Sequence, residues 1–577
     1  MRSFLSIILL SFLQGIIYPM FAQYTVSNSS ELQNLLRQDK YVGTIFLNAD
    51  LFELEQVDVK AGGIIMPARG RKPVVIGRNV FLERAKAQEK DNGYWRIKLD
   101  DFKAKDFWVL DGALNNVSVS SLVNGQINIR VKSEDVVKTD KEKSIIKIRI
   151  PDSCPSLKNH SKSFLKNCIL KMTYWYQSFE VVDLWSDNEF VYGRVSAGSY
   201  VYNNIGNHYK FDSYLTFFNY PENSGGVYVD GNGYVNVPEK YSCIRICTSE
   251  NILQFNTNNN TTISGLTFKG SATPVRLGQG TKKTIRNCVF ENCRTGIDAF
   301  RGLKNRNVAM TISDCTFKNM YNNTCINALG CDSVIISGNK TNNTGIFNKG
   351  DAVIAVGGNG YDVNNNIIEC FSYIGIMTGL HGSHEPITIN GTIHDNVVDN
   401  YSNYGDPSTQ LIDGGGIYVS THNDSTVVRD NIIRNIGFAH SSERGIYLDD
   451  GAYNTHVINN LVYNIYPGEK AIFARLVDDF SRHGINNEFI GNICVGDCVM
   501  YGHKGDLGRK AIIKDNYIDG NLDTDQSLNA VFEGNVNIKT KVLSSGKLSV
   551  DRSVKIPKTR YSKKVRKSFR NWQRLER

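Results

Sequence analysis

A short pattern of apolar and polar positions recurs down the second half of the chain. It reads apolar, two variable residues, a small polar residue, one variable residue, apolar, as in Ile263-Ser-Gly-Leu-Thr-Phe268 and Val428-Arg-Asp-Asn-Ile-Ile433. Its fourth position is Leu266, Cys288, Cys315, Asn339, Asn366, Asn396, Asn431, Asn460, Asn492, Asn516 and Asn535. Successive repeats are 19 to 35 residues apart, a period typical of solenoids.

Each repeat has the composition of short strands and turns. The repeats are rich in Ile, Val and Phe and are bounded by Gly, Asn and Asp, and no segment between them shows a long apolar period of 3.6 residues. A coil of this length without helices holds about three short strands, and coils stacked at ~4.8 Å form a parallel β-helix. We therefore predict an all-β fold with about 11 coils.

The repeating Asn has a predicted structural role. Asn tolerates left-handed backbone geometry at a bend. Stacked on the Asn above and below, its amide can satisfy buried polar groups. We expect Cys288 and Cys315 to fill the same inward position as small apolar side chains.

The rest of the chain divides around this solenoid. Between the N-terminal segment and the repeats, apolar and polar residues alternate, as in Ile127-Asn-Ile-Arg-Val131, which indicates an antiparallel sheet. We predict a signal peptide at 1–22, an N-terminal cap with the first coils at 23–89, an inserted antiparallel β-domain at 90–245, the parallel β-helix at 246–540 and a basic C-terminal tail at 541–577.

The N-terminal segment predicts export. Arg2 precedes an apolar run from Phe4 to Leu13, and Ala22 is the small residue before the predicted cleavage point. No later apolar run is long enough to span a membrane. We expect a secreted or periplasmic protein without a transmembrane segment, and a monomer.

Export permits disulfides, and twelve cysteines follow the predicted signal peptide. Cys243 with Cys247, or Cys494 with Cys498, are candidate pairs, whereas most cysteines have the context of core residues. The sequence contains no CxxC pair, the spacing that would indicate a metal site.

The net charge of +9 comes from the C-terminal tail. Residues 551–577 hold eleven Lys or Arg against Asp551 and Glu576, and 11 − 2 accounts for the whole surplus. The body of the protein is thus close to neutral, and we expect no nucleic-acid partner. The tail is interpreted as a solvated extension or as an amphipathic helix.

Polar residues follow a second row of predicted strands. The aligned segments are Gly375-Ile-Met-Thr, Gly416-Ile-Tyr-Val, Gly445-Ile-Tyr-Leu, Ala471-Ile-Phe-Ala and Cys498-Val-Met-Tyr. The alignment places the residues that follow them one above another: Gly379, Ser420, Asp449, Arg475 and Gly502. The flanking loops carry His384, His422, His503 and Lys504. Long loops on one face of a solenoid usually form its binding face.

The strongest candidate for catalytic residues is the segment Gly445-Ile-Tyr-Leu-Asp-Asp-Gly451. Asp449 and Asp450 are adjacent carboxylates at a strand end, and only one of them is expected to face the groove. One interpretation is an acid, a base or a nucleophile. The other is a turn in which Asp caps backbone amides.

Glycosyl transfer needs a second carboxyl group, about 5–5.5 Å away for retention and about 6.5–9.5 Å for inversion. Glu469 is our first candidate for the proton donor, with a solvated turn residue as its alternative, and Asp413 is a further candidate catalytic residue. The predicted substrate-binding residues are His422, Arg475, His503, Lys504 and His384.

Taken with the Asn repeats, Asp413-Gly-Gly-Gly-Ile-Tyr418 and Gly445-Ile-Tyr-Leu-Asp-Asp-Gly451 resemble secreted right-handed β-helix proteins of the pectate-lyase-like superfamily. More narrowly, the chain is similar to bacterial β-helix glycoside hydrolases of the β-xylosidase and α-fucosidase type. The resemblance implies a right-handed coil, an inserted β-domain, a carbohydrate substrate and a carboxylate pair that includes Asp449 or Asp450, with Asp413 less secure.

The function we predict is that of a secreted polysaccharide-degrading glycoside hydrolase without a cofactor. One alternative is a polysaccharide lyase acting on uronic-acid glycans with Ca²⁺, which Asp449 and Asp450 would bind while Arg475, His503 or Lys504 removes the proton. The other is a non-catalytic carbohydrate-binding or surface protein.

Overall fold

Three long parallel sheets run through the protein. The structure, a computed structural model, describes residues 22–91, 93–99, 108–115, 127–174, 177–195, 202, 213–218, 227–255, 260–278, 280–299, 307–379, 388–420, 423–449, 452, 454–475, 486–501, 511–524, 530–538, 540–542, 548–550 and 560–567. The predicted signal peptide at 1–22 lies outside them, apart from its last residue.

Within this part of the chain, sheet 1 has 14 strands, sheet 2 has 13 and sheet 3 has 12. The strands of sheet 1 are Gln23–Val26, Tyr41–Leu47, Gly62–Pro67, Thr261–Ser264, Lys283–Arg286, Thr311–Ser313, Val334–Ser337, Tyr361–Asn364, Thr392–His394, Val427–Arg429, His456–Ile458, Asn487–Ile490, Ala511–Lys514 and Ala530–Glu533.

The strands of sheet 2 are Leu51–Glu53, Val74–Ile76, Thr267–Lys269, Val289–Glu291, Thr316–Asn322, Lys340–Asn348, Ile367–Glu369, Val397–Asp399, Ile432–Ile436, Leu461–Ile465, Ile493–Val495, Tyr517–Asp519 and Val536–Asn537. The strands of sheet 3 are Val57–Val59, Asn251–Phe255, Thr273–Leu277, Ile297–Asp298, Ile326–Ala328, Ala352–Val356, Ile374–Thr378, Gly415–Val419, Arg444–Leu448, Lys470–Arg475, Asp497–Tyr501 and Leu522–Thr524.

The predicted parallel β-helix with an inserted antiparallel domain is confirmed. Each repeat spans the end of a sheet 1 strand and the start of the sheet 2 strand that follows, as in Thr261–Ser264 and Thr267–Lys269. Equivalent residues pair from coil to coil, so that apolar side chains form buried rows. In one such row the rings of Phe268, Phe290 and Phe317 stack, with centroids 5.2 and 4.9 Å apart.

The repeating Asn side chains form a continuous ladder between sheets 1 and 2. The Asn431 amide nitrogen donates to the Ile393 carbonyl at 2.9 Å and to the Asn460 Oδ1 at 3.0 Å. The Asn431 Oδ1 accepts from the backbone N–H and the side-chain amide of Asn396, each at 3.0 Å. The same bonds repeat from Asn339 to Asn535, which confirms the predicted role in satisfying buried polar groups.

The left-handed residue of each bend lies one position earlier than the repeating Asn. Asn365, Asp395 and Asp430 have φ of +54°, +55° and +56°. The third position of the pattern is Gly, Asn or Asp because these residue types tolerate this backbone conformation. Our prediction was therefore wrong in giving the ladder Asn the left-handed geometry.

The cysteines are all described, and none is in a disulfide. Cys243 and Cys247 begin and end one strand, so about 13 Å separates their Cα atoms, too far for a disulfide bond. Cys315 fills the ladder position as expected, and its backbone N–H donates to Asn339 Oδ1 at 3.0 Å. Cys494 and Cys498 also remain free thiols.

Antiparallel sheets interrupt the solenoid between its N-terminal strands and Asn251. The largest has seven strands: Ile127–Val131, Ser213–Phe218, Ile169–Tyr174, Gln177–Ser186, Phe190–Val195, Ile145–Arg149 and Val136–Asp140. One smaller sheet joins Trp108–Asp111, Cys243–Cys247 and Asn79–Glu83. Another joins Tyr228–Val229, Tyr234–Pro238, Tyr94–Lys98 and Glu89–Asp91.

Three further pairs of short strands lie outside these antiparallel sheets. They are Gly280–Thr281 with Asn307–Val308, Thr388–Ile389 with Asn423–Asp424, and Thr540–Val542 with Leu548–Val550.

A buried lysine ties the seven-stranded sheet to the solenoid. Lys171 Nζ donates to Glu180 at 2.9 Å within the sheet and to Asn348 Oδ1 of sheet 2 at 2.6 Å. It also lies 4.3 Å from the ring centroid of Phe347. Because charge, amide and ring contacts converge on one buried ammonium group, the inserted domain is docked on the coil that contains Asn348.

Helical segments are short. The helix Ser29–Leu36 begins at Asn28, whose side chain caps it by accepting from the Glu31 N–H at 2.9 Å. The Glu31 carboxylate accepts from the N–H of Ser27, the residue before the cap. The 3₁₀ turns are Arg84–Lys86, Ser133–Asp135 and Pro155–Leu157, and residues 563–567 are helical.

The described part of the basic C-terminal segment packs against the solenoid. Val565 is buried among side chains of sheet 2. The Arg560 guanidinium contacts Asp515 at 2.6 Å, and the Ser562 N–H donates to Asp430 Oδ1 at 3.0 Å. The described part of the segment is therefore not a solvated extension, because apolar burial and polar contacts with two separate coils hold it against the solenoid.

Removing one ladder side chain should destabilise the solenoid in proportion to its burial. Asn431→Ala removes the acceptor that the backbone N–H and side-chain amide of Asn396 share, and the side-chain donor to the Ile393 carbonyl, all away from water, which should cost about 3 kcal/mol. Asn535→Ala is the matched control, since Asn535 is half-buried at the end of the ladder and water can replace its bonds. Guanidinium unfolding followed by circular dichroism measures both, and equal shifts for the two variants would contradict the ladder's role.

Candidate functional site

The outer face of sheet 3 carries a row of aromatic side chains. Tyr418 pairs with Tyr447 and Tyr447 with Phe473 in the register of three consecutive strands. Val419 and Leu448 point into the solenoid core, so their neighbours along the strands point outward. The rings of Tyr418 and Tyr447 meet edge to face with centroids 4.8 Å apart.

Asp449 lies at the end of this row with both carboxylate oxygens held. The Tyr447 hydroxyl donates to Oδ1 at 2.8 Å, and the Tyr418 hydroxyl donates to Oδ2. Burial and the nearby Asp449 charge raise the pKa of both tyrosines, so their hydroxyls stay protonated donors at neutral pH. The result is a buried carboxylate with a fixed orientation on the outer side of the sheet.

Arg444 links Asp413 to the aromatic row. Its Nη1 contacts the Asp413 carboxylate at 2.5 Å, and its guanidinium lies 4.3 Å from the ring centroid of Tyr447 and 4.7 Å from that of Phe473. Desolvation raises the pKa of Asp413, against the opposing effect of Arg444. The Asp449 charge acts in the same upward direction, so the two carboxyl groups influence each other.

Glu443 is a buried acid within the same cluster. Its side chain is 1% exposed, and no hydrogen bond reaches its Oε1. A Cβ on Gly414 would come within 2.9 Å of that oxygen. Desolvation raises the pKa of Glu443 well above its ordinary value, with smaller contributions from the charges of Glu469 and Asp413.

Glu469 occupies the equivalent position of the next coil. Arg444 pairs with Lys470, so Glu443 and Glu469 precede paired residues and lie one above the other. Desolvation raises the pKa of Glu469 as well, against the lowering effects of the Ser442 and Ser441 backbone N–H groups and of Arg444. Its side chain therefore lies close to the loop before the strand Arg444–Leu448.

The structure brings four of the predicted site residues into one region. Asp413, Asp449, Glu469 and Arg475 lie along the strands of sheet 3 or directly before or after them. Arg475 pairs with Tyr501 rather than aligning with Gly502, because the register shifts between Lys470 and Ile472. Asp450, His384, His422, His503 and Lys504 lie outside the described residues.

The sequence interpretation missed several residues of the cluster. They are Tyr373, Tyr418, Glu443, Arg444, Tyr447 and Phe473. A signal for two of them was present: Glu443-Arg444 precedes one strand of sheet 3 as Glu469-Lys470 precedes the next. An acidic residue followed by a basic one at the same place in successive coils indicates a stacked charge cluster.

Comparisons with known proteins agree with this fold. The family described as right handed beta helix region matches residues 302–492, and the chain is a right-handed parallel β-helix. No curated protein sequence matches the chain. The described residues contain no helix with the length and apolar character that a membrane crossing requires.

The solved structures to which the chain is similar include a glycoside hydrolase. A glycoside hydrolase is 12% identical with a TM-score of 0.50, over 87% of this chain and 90% of that one. A complex of XylC with xylose is 13% identical with a TM-score of 0.46, over 92% and 89%. An α-1,3-glucanase catalytic unit from Streptomyces thermodiastaticus is 8% identical with a TM-score of 0.28, over 80% and 96%.

The buried proton of Glu443 should make stability depend on pH. Because its folded pKa is raised, the stabilisation from the protonated form is complete below the ordinary value of 4.5 and is lost as pH rises through the folded pKa. Glu443→Gln keeps the shape and removes the titration. The unfolding midpoint of the variant relative to the wild type should therefore rise between pH 4 and pH 8.

Glu55→Gln is the control for this prediction, since Glu55 is exposed. It should leave the pH dependence of the unfolding midpoint unchanged. A difference between Glu443→Gln and wild type that stays constant across the pH range would contradict a buried, protonated Glu443.

Proposed function

We propose that the protein is an exported glycoside hydrolase that cleaves an oligo- or polysaccharide at the outer face of sheet 3. The observation that supports this most is Asp449, a carboxylate fixed by two tyrosine hydroxyls, in electrostatic contact with Asp413. Glycoside hydrolysis uses such a carboxylate pair. The fold similarity to a solved glycoside hydrolase is consistent with the proposal.

In this proposal Asp449 is the nucleophile or the base. The hydroxyls of Tyr418 and Tyr447 orient its carboxylate, so no reorganisation is needed when the reaction begins. Asp413 is the acid that protonates the leaving oxygen, since its raised pKa favours a bound proton. Arg444 then stabilises the carboxylate that remains after the proton has left.

Asp413 is preferred to the two glutamates because an acid must reach the substrate. The Asp413 side chain is 36% exposed, whereas Glu443 is 1% exposed. The backbone N–H groups of Ser442 and Ser441 and the cations Arg444 and Lys470 lower the pKa of Glu469 against the effect of desolvation, which opposes the bound proton that an acid needs. We therefore prefer Asp413 to Glu469, our first candidate from the sequence.

In this proposal Arg475 extends the cluster along sheet 3 and binds the substrate. Arg475 follows Ala474, which pairs with Leu448, so it is level with Asp449 in the next coil. A guanidinium there can donate to sugar hydroxyls. His384, His422, His503 and Lys504, which lie outside the described residues, remain candidates for the same role.

Substitution of the carboxylate pair should remove activity without unfolding the protein. Purified protein is screened against plant and host glycans, with reducing ends and absorbance near 235 nm both recorded. Asp449→Asn and Asp413→Asn should each lower the rate of reducing-end release by about 10²- to 10⁴-fold, because each removes a proton-transfer or nucleophilic group.

Asp523→Asn is the matched control. Asp523 is exposed and continues the outward row of sheet 3, where it pairs with Val499, three coils from Tyr447. This variant should keep full activity.

The same screen separates the alternative functions. Absorbance near 235 nm would support the Ca²⁺-assisted lyase, and binding without turnover would support the carbohydrate-binding protein.

A further inference from the structure

The seven-stranded sheet of the inserted domain has one buried face and one aromatic face. Ile146, Ile148 and Val191 belong to its buried core. On the opposite face, Trp185 and Tyr192 are a cross-strand pair whose rings stack with centroids 5.2 Å apart and planes inclined by 5°. Large aromatic side chains on a solvent-facing sheet surface are a common feature of binding sites.

A cavity of about 450 Å³ opens beside Trp185. Its charged lining consists of Glu142, Lys143, Lys162, Asp183 and Arg194. The Lys162 ammonium lies 4.4 Å from the ring centroid of Trp185. The cavity thus combines one large aromatic wall with charged side chains of both signs. Its volume lies within the range of small-molecule sites.

The backbone beneath the cavity is irregular, and this irregularity shapes the cavity. A β-bulge between Val182 and Trp185 shifts the pairing with the neighbouring strand, and Asp183 within it has φ of +56°. The bulge presents the Asp183 carboxylate to Arg194, whose Nε lies 2.9 Å from Oδ2. Bulges often re-aim side chains next to functional sites.

Hydrogen bonds fix the Tyr192 ring, on which Trp185 stacks, without a ligand. The Tyr192 hydroxyl donates to Asp187 Oδ2 at 2.8 Å, and Asp187 also accepts from the N–H groups of Glu189 and Phe190 at 2.8 Å. These bonds fix the hairpin turn and the ring on which Trp185 stacks. A pre-organised ring loses little conformational entropy when it binds.

We infer that this cavity binds a neutral saccharide chain and anchors the protein on its polysaccharide, apart from the cluster on sheet 3. The choice of polysaccharide rests on the proposed function. A sugar ring presents C–H groups that suit the Trp185 face opposite Tyr192, where the exposed Lys162 side chain would move aside and donate to sugar hydroxyls. The paired Asp183 and Arg194 offer acceptors and donors for hydroxyl groups. The lining holds Lys143, Lys162 and Arg194 against Glu142 and Asp183, so its charges nearly balance and an uncharged chain rich in hydroxyl groups fits it.

Affinity electrophoresis tests the inference directly. The parent is the full chain with Asp449→Asn, which prevents cleavage, and the gels contain arabinoxylan, xyloglucan, galactomannan, arabinogalactan or polygalacturonate. At least one neutral polysaccharide should retard the parent. Adding Trp185→Ala should weaken the affinity about tenfold or more, and Trp185→Phe by less, because a smaller ring remains.

Lys166→Ala is the matched control for Lys162→Ala. Both side chains are exposed on one loop, and only Lys162 lines the cavity. Lys162→Ala should weaken retardation, whereas Lys166→Ala should not. Thermal unfolding of each variant checks that the fold is kept. With Asp449 intact, Trp185→Ala should cleave short soluble oligosaccharides at the wild-type rate.

The outcomes separate this inference from the proposed function. Retardation that Trp185→Ala leaves unchanged, or an absence of retardation by every neutral polysaccharide, would overturn the anchoring site even if short oligosaccharides are cleaved. Retardation that depends on Trp185, together with no cleavage of any glycan, would support the anchoring site and overturn the hydrolase.

Discussion

The Asn ladder between sheets 1 and 2 fixes the register on which the other features depend. Each amide joins its coil to both neighbours through buried hydrogen bonds, from Asn339 to Asn535. A one-residue slip would leave these groups unpaired and turn the apolar rows outward, and both changes are costly. The ladder therefore decides which side chains of sheet 3 point into the core and which point out.

The candidate site is a consequence of that register. Asp413, Arg444 and Phe473 come from three successive coils, about 30 residues apart, yet the guanidinium contacts the other two. Close approach between coils requires small residues at this corner. A Cβ on Gly445 would lie 2.3 Å from a Val462 methyl group and 2.5 Å from the Ala471 carbonyl oxygen, so only glycine fits there.

The fold could be predicted because the chain repeats its own pattern, and the phase of Ile, Asn and Phe reports the strands and the bend between them. The site was predictable only in part. The pair Asp449 and Asp450 follows from its place at a strand end, and alternation allows only one of them to face the groove, but the sequence did not separate the two. The stacking of Glu469 beside the buried Glu443 and Arg444 was not predictable, because side-chain surroundings in a loop depend on contacts with residues distant in sequence. For the same reason, the sequence did not predict that the segment around Val565 packs on sheet 2.

The central claim is that the outer face of sheet 3 binds a saccharide at Asp449 and Asp413. The most direct test is a crystal structure of the Asp449→Asn variant soaked with an oligosaccharide that the wild type cleaves. The account predicts a glycosidic oxygen within hydrogen-bond distance of the Asp413 carboxyl group and a sugar ring beside residue 449. A sugar bound only elsewhere on the solenoid, with these two side chains free of it, would contradict the account.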